Sequence, residues 1–155
     1  MTVEDTGVAD IDAVMSINFR GTYLATQEFG RELLRLKRPG KIINFGSMAA
    51  HLAQTNISVY CSSKAAVQTL TRAVSNEWAG KGITCNAICP GFIHTGMCED
   101  LYTDEVFSAK VRARTSLGRW GEADDLKGLM VFLASPASDF ITGESIVIDG
   151  GVIGR

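Results

Sequence analysis

Lys41-Ile42-Ile43-Asn44-Phe45-Gly46-Ser47, followed after a loop by Tyr60-Cys61-Ser62-Ser63-Lys64, decides how this chain folds. The first stretch is a short apolar run bounded by turn residues, the pattern of a buried parallel strand. The second opens a helical pattern from about Val59 to Ala79, with Val59, Ala66, Leu70, Ala73 and Trp78 expected on its apolar face. Tyr60 and Lys64 stand four residues apart, so a helix places them on one face, one turn above the other. Strand, Gly-Ser, loop and helix together can bring a hydroxyl, a phenol and an ammonium into one neighbourhood.

Such a trio suits proton exchange at a carbinol or carbonyl oxygen. A free phenol titrates near ~10, so making one work near neutrality takes roughly 4 kcal/mol. Opposite charges about 4 Å apart supply ~1 kcal/mol in bulk water but ~4 kcal/mol at an effective dielectric of about 20. A neighbouring ammonium therefore suffices only in a partly dried cleft. Ser47 would donate to the substrate oxygen where negative charge develops. The plain alternative is a surface tyrosine packed on a lysine stem.

Outward from this centre, residues from about Ala9 to Arg38 read as one long helix. Ile11, Met15, Asn18, Thr22, Ala25, Phe29, Leu33 and Leu36 recur there at spacings of three and four. Periodicity alone makes Asn18 a partly buried amide with ordinary hydrogen bonds. Pro39-Gly40 ends this helix, and residues 48–58 read as a loop. Gly80-Lys81-Gly82 breaks the central helix, and Ile83 to Ile88 forms a second buried strand closed by Cys89-Pro90-Gly91. A Pro-Gly taken alone is a turn, yet at the carboxyl end of a parallel strand it lies where open α/β sheets bind ligands.

Gly96 to Gly118 is polar and mixed, with a helical middle around Asp104 to Arg114, either a lid over substrate or a solvated connector. Gly121-Glu122-Ala123-Asp124-Asp125 opens a helix continuing to Ala134, its early acids matching the helix dipole. Ser145 to Ile148 is the third strand. Alternating strands and helices predict an α/β fold, a partial Rossmann-type, doubly wound parallel sheet, as a single domain over residues 1–155.

Composition narrows the function class. With 46% hydrophobic residues, 21% charged and a net charge of −2, the chain is ordinary for a soluble globular protein. The longest basic run is Lys37-Arg38, which offers no nucleic-acid surface. The apolar stretch Leu129 to Ala134 is far short of a membrane span, and Met1-Thr2-Val3-Glu4-Asp5 has no signal-peptide pattern, so a cytoplasmic location is expected. Cys61, Cys85, Cys89 and Cys98 contain no C-x-x-C pair and His51 and His94 are scattered, so no metal site is expected. Cys85 and Cys89 share a strand face, as buried reduced thiols would.

The order strand, Gly46-Ser47, loop, Tyr60 and Lys64 resembles the short-chain dehydrogenase/reductase family over essentially the whole chain. The resemblance implies that Tyr60 exchanges the proton, that Ser47 holds the reacting oxygen, and that Lys64 assists the tyrosine and binds nicotinamide ribose hydroxyls. It assigns Asn18, in Asn18-Phe19-Arg20-Gly21, a role in holding a water beside Lys64. Tyr60, Lys64, Pro90, Gly91, Ile93 and Thr95 are implied to meet an NAD or NADP cofactor, with NAD favoured. Asn76-Glu77-Trp78-Ala79, Gly118-Arg119-Trp120-Gly121, Val131-Phe132-Leu133-Ala134-Ser135 and Asp149-Gly150-Gly151 are similar to the sugar-acid dehydrogenases of the family. The implied substrate is a small secondary alcohol or its ketone, with neither nucleic acid nor membrane as partner. Lys110, Arg112, Arg114 and Arg155 are the lid-side candidates to meet a carboxylate.

The family's glycine-rich pyrophosphate turn and its ribose-selecting acid are absent from this sequence. The chain is therefore expected to be a carboxyl-terminal half lacking the N-terminal strands, with an unpaired strand edge at Ile42. Alone it is expected to be poorly soluble and to show no nicotinamide reduction. The alternative is a truncated, inactive interaction partner of the same fold. Homo-oligomers through the two long helices, residues 9–38 and 59–79, are the assembly that the resemblance implies.

Overall fold

A computed structural model describes residues 1–154. Three parallel strands form one sheet in the order β1 (Gly40–Phe45), β2 (Ile83–Pro90), β3 (Ser145–Ile148). Ile42 pairs with Cys85 and Phe45 with Ile88, and Ile88 in turn pairs with Ile146. The expected α/β architecture with a parallel sheet is present, and β1 is an edge strand, as the sequence predicted, with β3 at the other edge.

Alternation along β1 and β2 sends neighbouring side chains to opposite faces. On one face Ile42 and Cys85 pack with Val74 of α4 (Ser58–Trp78), and Leu33, Leu34, Leu70 and Trp78 close around them. On the other face Lys41 reaches Ser138 and Asp139, just beyond α7 (Ala123–Ala134), whose Leu133 is fully buried. A polar belt crosses the first face. Buried Asn44 donates to Thr71 Oγ1 at 3.0 Å and accepts from Thr26 Oγ1 at 3.3 Å, tying β1 to α4 and to α2 (Gly21–Leu36). Its Nδ2 also points to Cys85 Sγ at 3.6 Å, so both ends of an otherwise costly buried amide have partners.

The long N-terminal helix is not uniform. It runs as α1 (Val8–Met15), a π-helical turn at Ser16–Arg20, and α2. The π turn adds a residue to one turn and shifts the phase of everything after it. The inward stripe is Asn18, Thr22, Thr26, Gly30 and Leu33, so Asn18, Thr22 and Leu33 fall where expected, whereas Ile11, Ala25, Phe29 and Leu36 of the expected stripe are exposed. Gly30 is required by the close approach of the helices, since a Cβ there would lie 2.0 Å from the Trp78 ring. The buried face of α4 is likewise Ser63, Val67, Thr71 and Val74, with Ala73 exposed.

Two boundaries also differ from expectation. The loop at 48–58 contains a one-turn helix, α3 (Ala49–Leu52), and β2 extends through Pro90 because Gly91 N–H still donates to Ile148 O. The lid region forms α5 (Glu99–Thr103) and α6 (Glu105–Arg114), the latter capped by Asp104, whose carboxylate accepts from the Val106 and Phe107 amides.

The thiols make a direct check on the core. Cys61, Cys85 and Cys89 are buried and Cys98 is partly open. Burial pushes the Cys85 thiol up to about 12 and that of Cys89 upward as well. Ellman's reagent is expected to titrate Cys98 alone in the native protein and all four thiols after denaturation. Fast native reaction of three or four would contradict this packing.

Candidate active site

At the carboxyl end of β1 the chain turns through Gly46 and Ser47. Gly46 N–H donates to Ile88 O at 2.8 Å and Met48 N–H to Pro90 O at 3.0 Å, so this turn is pinned to the end of β2. Ser47 is buried, and its Oγ accepts the Ala49 N–H at 3.1 Å. Used as an acceptor there, the hydroxyl keeps its own proton free to donate. Beneath the turn, Gln68 Nε2 donates to Cys89 Sγ at 3.1 Å and lies 2.9 Å from His51 Nε2, while Cys89 also receives a Ser47 backbone bond. This support was invisible in the sequence because its members come from three separate elements.

The first turns of α4 deliver Tyr60 and Lys64 beside it. Lys64 Nζ donates to Phe45 O at 3.1 Å and sits 5.8 Å from the centroid of the Tyr60 ring. Burial lowers the lysine pKa, an effect partly opposed by Cys89. An ammonium carries three donors, and among the described residues only Phe45 O takes one. Tyr60 remains 36% exposed. The Lys64 ammonium thus joins the end of β1, two residues before Ser47, to the neighbourhood of the Tyr60 ring.

Asn18 stands behind them on the π turn. Its Nδ2 donates to Ser63 Oγ at 3.1 Å, and Ser63 Oγ donates to Tyr60 O at 2.7 Å. Its backbone carbonyl accepts from Thr22 Oγ1 at 2.8 Å. The side chain therefore steadies the turn of α4 that carries Tyr60. Nothing local in the sequence paired Asn18 with Ser63.

Pro90, Gly91 and Ile93 lead away from the end of β2. A Cβ on Gly91 would lie 2.6 Å from Asp149 Cα, so the strand-end contact with β3 depends on glycine. Ile93 forms a parallel bridge with Gly121. Thr95 is exposed further out, where its hydroxyl lies 3.5 Å from Cys98 Sγ and it caps the turn Gly96–Cys98.

The lid is fastened by an aromatic cluster that sequence periodicity did not reveal. Trp120 meets Phe92, Tyr102 and Phe107 with ring centroids 5.6, 5.5 and 6.3 Å away, and donates from Nε1 to Ser108 Oγ at 2.9 Å. His94 stacks on Tyr102 at 3.8 Å and bonds Glu99 at 2.8 Å. Of the lid-side cations, Arg112 is held by Ser108 Oγ at 2.8 Å, whereas Lys110 and Arg114 line a cavity with Gln54. Arg155 lies outside the described residues. Arg119 forks onto Asp125 at 2.7 and 2.9 Å and holds that carboxyl well below its usual range.

The profile of the family described as enoyl-(acyl carrier protein) reductase matches residues 1–153. The chain belongs to the short-chain dehydrogenase/reductase family. Among its short-chain dehydrogenase/reductase relatives, 2-dehydro-3-deoxy-D-gluconate 5-dehydrogenase of Pseudoalteromonas atlantica is 40% identical over 144 residues, 93% of this chain and 56% of that enzyme. Gluconate 5-dehydrogenase of Gluconobacter oxydans is 36% identical over 150 residues, covering 97% and 58%. The crystal structure of a gluconate 5-dehydrogenase from Burkholderia cenocepacia in complex with NADP and tartrate matches with a TM-score of 0.96 at 35% identity, over 100% of this chain and 60% of that one. The chain thus spans little more than half the length of these short-chain dehydrogenase/reductase relatives.

Proposed function

We propose that this chain is the catalytic portion of an NAD(P)-dependent oxidoreductase that interconverts a secondary alcohol and a ketone on a sugar acid. The observation that carries the reading is the Lys64 ammonium, tied to Phe45 O at 3.1 Å under the Tyr60 ring, two residues from the Ser47 hydroxyl. Relatives named as gluconate and deoxygluconate dehydrogenases support the substrate class. NADP in one structural neighbour and NADH in another support a nicotinamide cofactor of either kind.

The residues present fit the nicotinamide end of such a cofactor. Two donors of a half-buried ammonium have no acceptor among the described residues, which suits ribose hydroxyls, and Pro90, Gly91 and Ile93 border the same strand ends. Thr95 would reach a phosphate after leaving Cys98. The bound nicotinamide would supply hydride acceptance and donation. Tyr60 then takes the hydroxyl proton during oxidation and returns it during reduction. Lys64 opposes the negative charge left on the phenol, Ser47 donates to the substrate oxygen, and Asn18 positions Tyr60 through Ser63. The cytosol, where four free thiols stay reduced, is the compartment this reading assigns. Tyr23, Leu24 and Phe29, exposed along α2, are the surface on which self-association through the long helices would draw.

The test is a chimera in which the amino-terminal portion of a deoxygluconate dehydrogenase relative precedes this chain. The expected result is reduced nicotinamide formed on gluconate-type acids. A folded, cofactor-binding chimera inert toward all secondary alcohols would refute the assignment. It would favour the non-catalytic partner reading, which draws its support from the unpaired β1 edge with Phe45 exposed.

A further inference from the structure

Against α6 lies a cavity of about 350 Å³, lined by Gln54, Phe92, Phe107, Lys110, Val111 and Arg114 among others. Its volume is within the range of small-molecule sites, roughly 300–1,000 Å³. Two of its lining residues follow the candidate site along the chain. Gln54 lies on the segment that follows Ser47, and Phe92 on the segment that follows Pro90 and Gly91. Lys110 and Arg114 are one turn apart on α6 and so project from one side of that helix. The other cations on the surrounding elements are already committed, Arg112 to Ser108, Arg119 to Asp125 and His94 to Glu99, while the acids Asp100 and Glu105 stand in the first turns of α5 and α6. Among the described residues, neither Lys110 nor Arg114 has a carboxylate partner, which leaves two uncompensated positive charges and an amide on an aromatic-walled cavity.

We infer that this cavity is a carboxylate subsite: Lys110 and Arg114 hold the acid group of the substrate, and Gln54 hydrogen-bonds an adjacent hydroxyl. A planar guanidinium matches a carboxylate with two parallel bonds, and the lysine adds a point charge. The phenyl faces of Phe92 and Phe107 thin the water there, which strengthens both attractions. The inference rests on the sugar-acid reading and names the residues that would select for it. It also separates the four lid-side cations, because Arg112 is spent on Ser108 and cannot turn into the cavity without leaving Trp120's partner.

The experiment uses the chain itself at the low concentrations that tryptophan fluorescence allows, since Trp120 packs on both Phe92 and Phe107. Gluconate is titrated against sorbitol, an uncharged polyol of the same length. Saturable quenching or enhancement by gluconate that weakens with added salt, and none by sorbitol, is expected. Lys110→Met and Arg114→Met should each raise the apparent Kd about tenfold, the loss of one charged hydrogen bond, while Arg112→Met leaves it within about twofold. Both substituted side chains are exposed, so an unchanged circular dichroism spectrum certifies the fold. Equal binding of sorbitol, or wild-type affinity in both variants, overturns the subsite. In the chimera, turnover of uncharged alcohols with no penalty from Lys110→Met or Arg114→Met sinks the subsite and leaves the dehydrogenase reading standing. Selective gluconate binding in a chimera that never turns over sinks the dehydrogenase reading and keeps the subsite.

Discussion

Replacing Tyr60 by phenylalanine is expected to lower kcat of the cofactor-competent chimera by about 10²–10⁴-fold, the span attributed to a positioned general acid or base. The change deletes one oxygen from a side chain that is 36% exposed and whose phenol has no partner among the described residues, so no buried hydrogen bond is broken and the fold should be indifferent. Lys64 keeps its bond to Phe45 O in the variant, and the ring it lies beside is unchanged. Cofactor affinity, read by fluorescence of the reduced nicotinamide, should therefore stay within about twofold of the parent. Loss confined to kcat is the signature of an interaction made during the chemical step. Activity within tenfold of the parent would remove Tyr60 from the proton path, and a parallel collapse of cofactor affinity would reassign it to binding.

The largest expected effect on stability comes from Gly91→Ala. The added methyl would lie 2.6 Å from Asp149 Cα and 2.7 Å from Asp149 Cβ, closer than such carbons approach, and the opposing atoms belong to backbone that cannot swing aside. Relief requires β2 and β3 to part where Gly91 N–H donates to Ile148 O. Overpacking of this kind costs about 1–3 kcal/mol, which in a chain of this size corresponds to a fall in Tm of roughly 3–10 °C. The same movement would carry Pro90 away from Met48 N–H and so disturb the Ser47 turn. A thermal melt showing less than about 1 °C of change would mean that the strand ends yield more easily than this geometry allows.

Much of the framework was readable from residues alone. The apolar run Lys41 to Phe45 gave β1 within one residue, and the Tyr60-Lys64 helix gave α4 within one residue at each end. The N-terminal helix was found with Asn18, Thr22 and Leu33 on its inward face, but Ala25, Phe29 and Leu36 were placed there in error, because a repeat of threes and fours is met as well by 22-25-29 as by the observed 22-26-30. Phe29 and Leu36 look like core residues by type, yet they are 50% and 43% exposed, since no element among the described residues covers them. The lid's hold on the sheet was equally hidden. Phe92, Tyr102, Phe107 and Trp120 are spread across four segments with no common period, and only folding stacks them.

The sequence by itself determined the parallel α/β framework and the placing of Tyr60 one turn from Lys64, because strand burial and helical spacing are local properties of residue type. Tertiary structure alone decided that the Lys64 ammonium meets the carbonyl at the end of β1, that Asn18 braces Tyr60 through Ser63, and that Lys110 and Arg114, rather than Arg112, face the cavity. Those relations join residues distant along the chain, and a donor's partner is set by whichever acceptor the packed elements bring within about 3 Å.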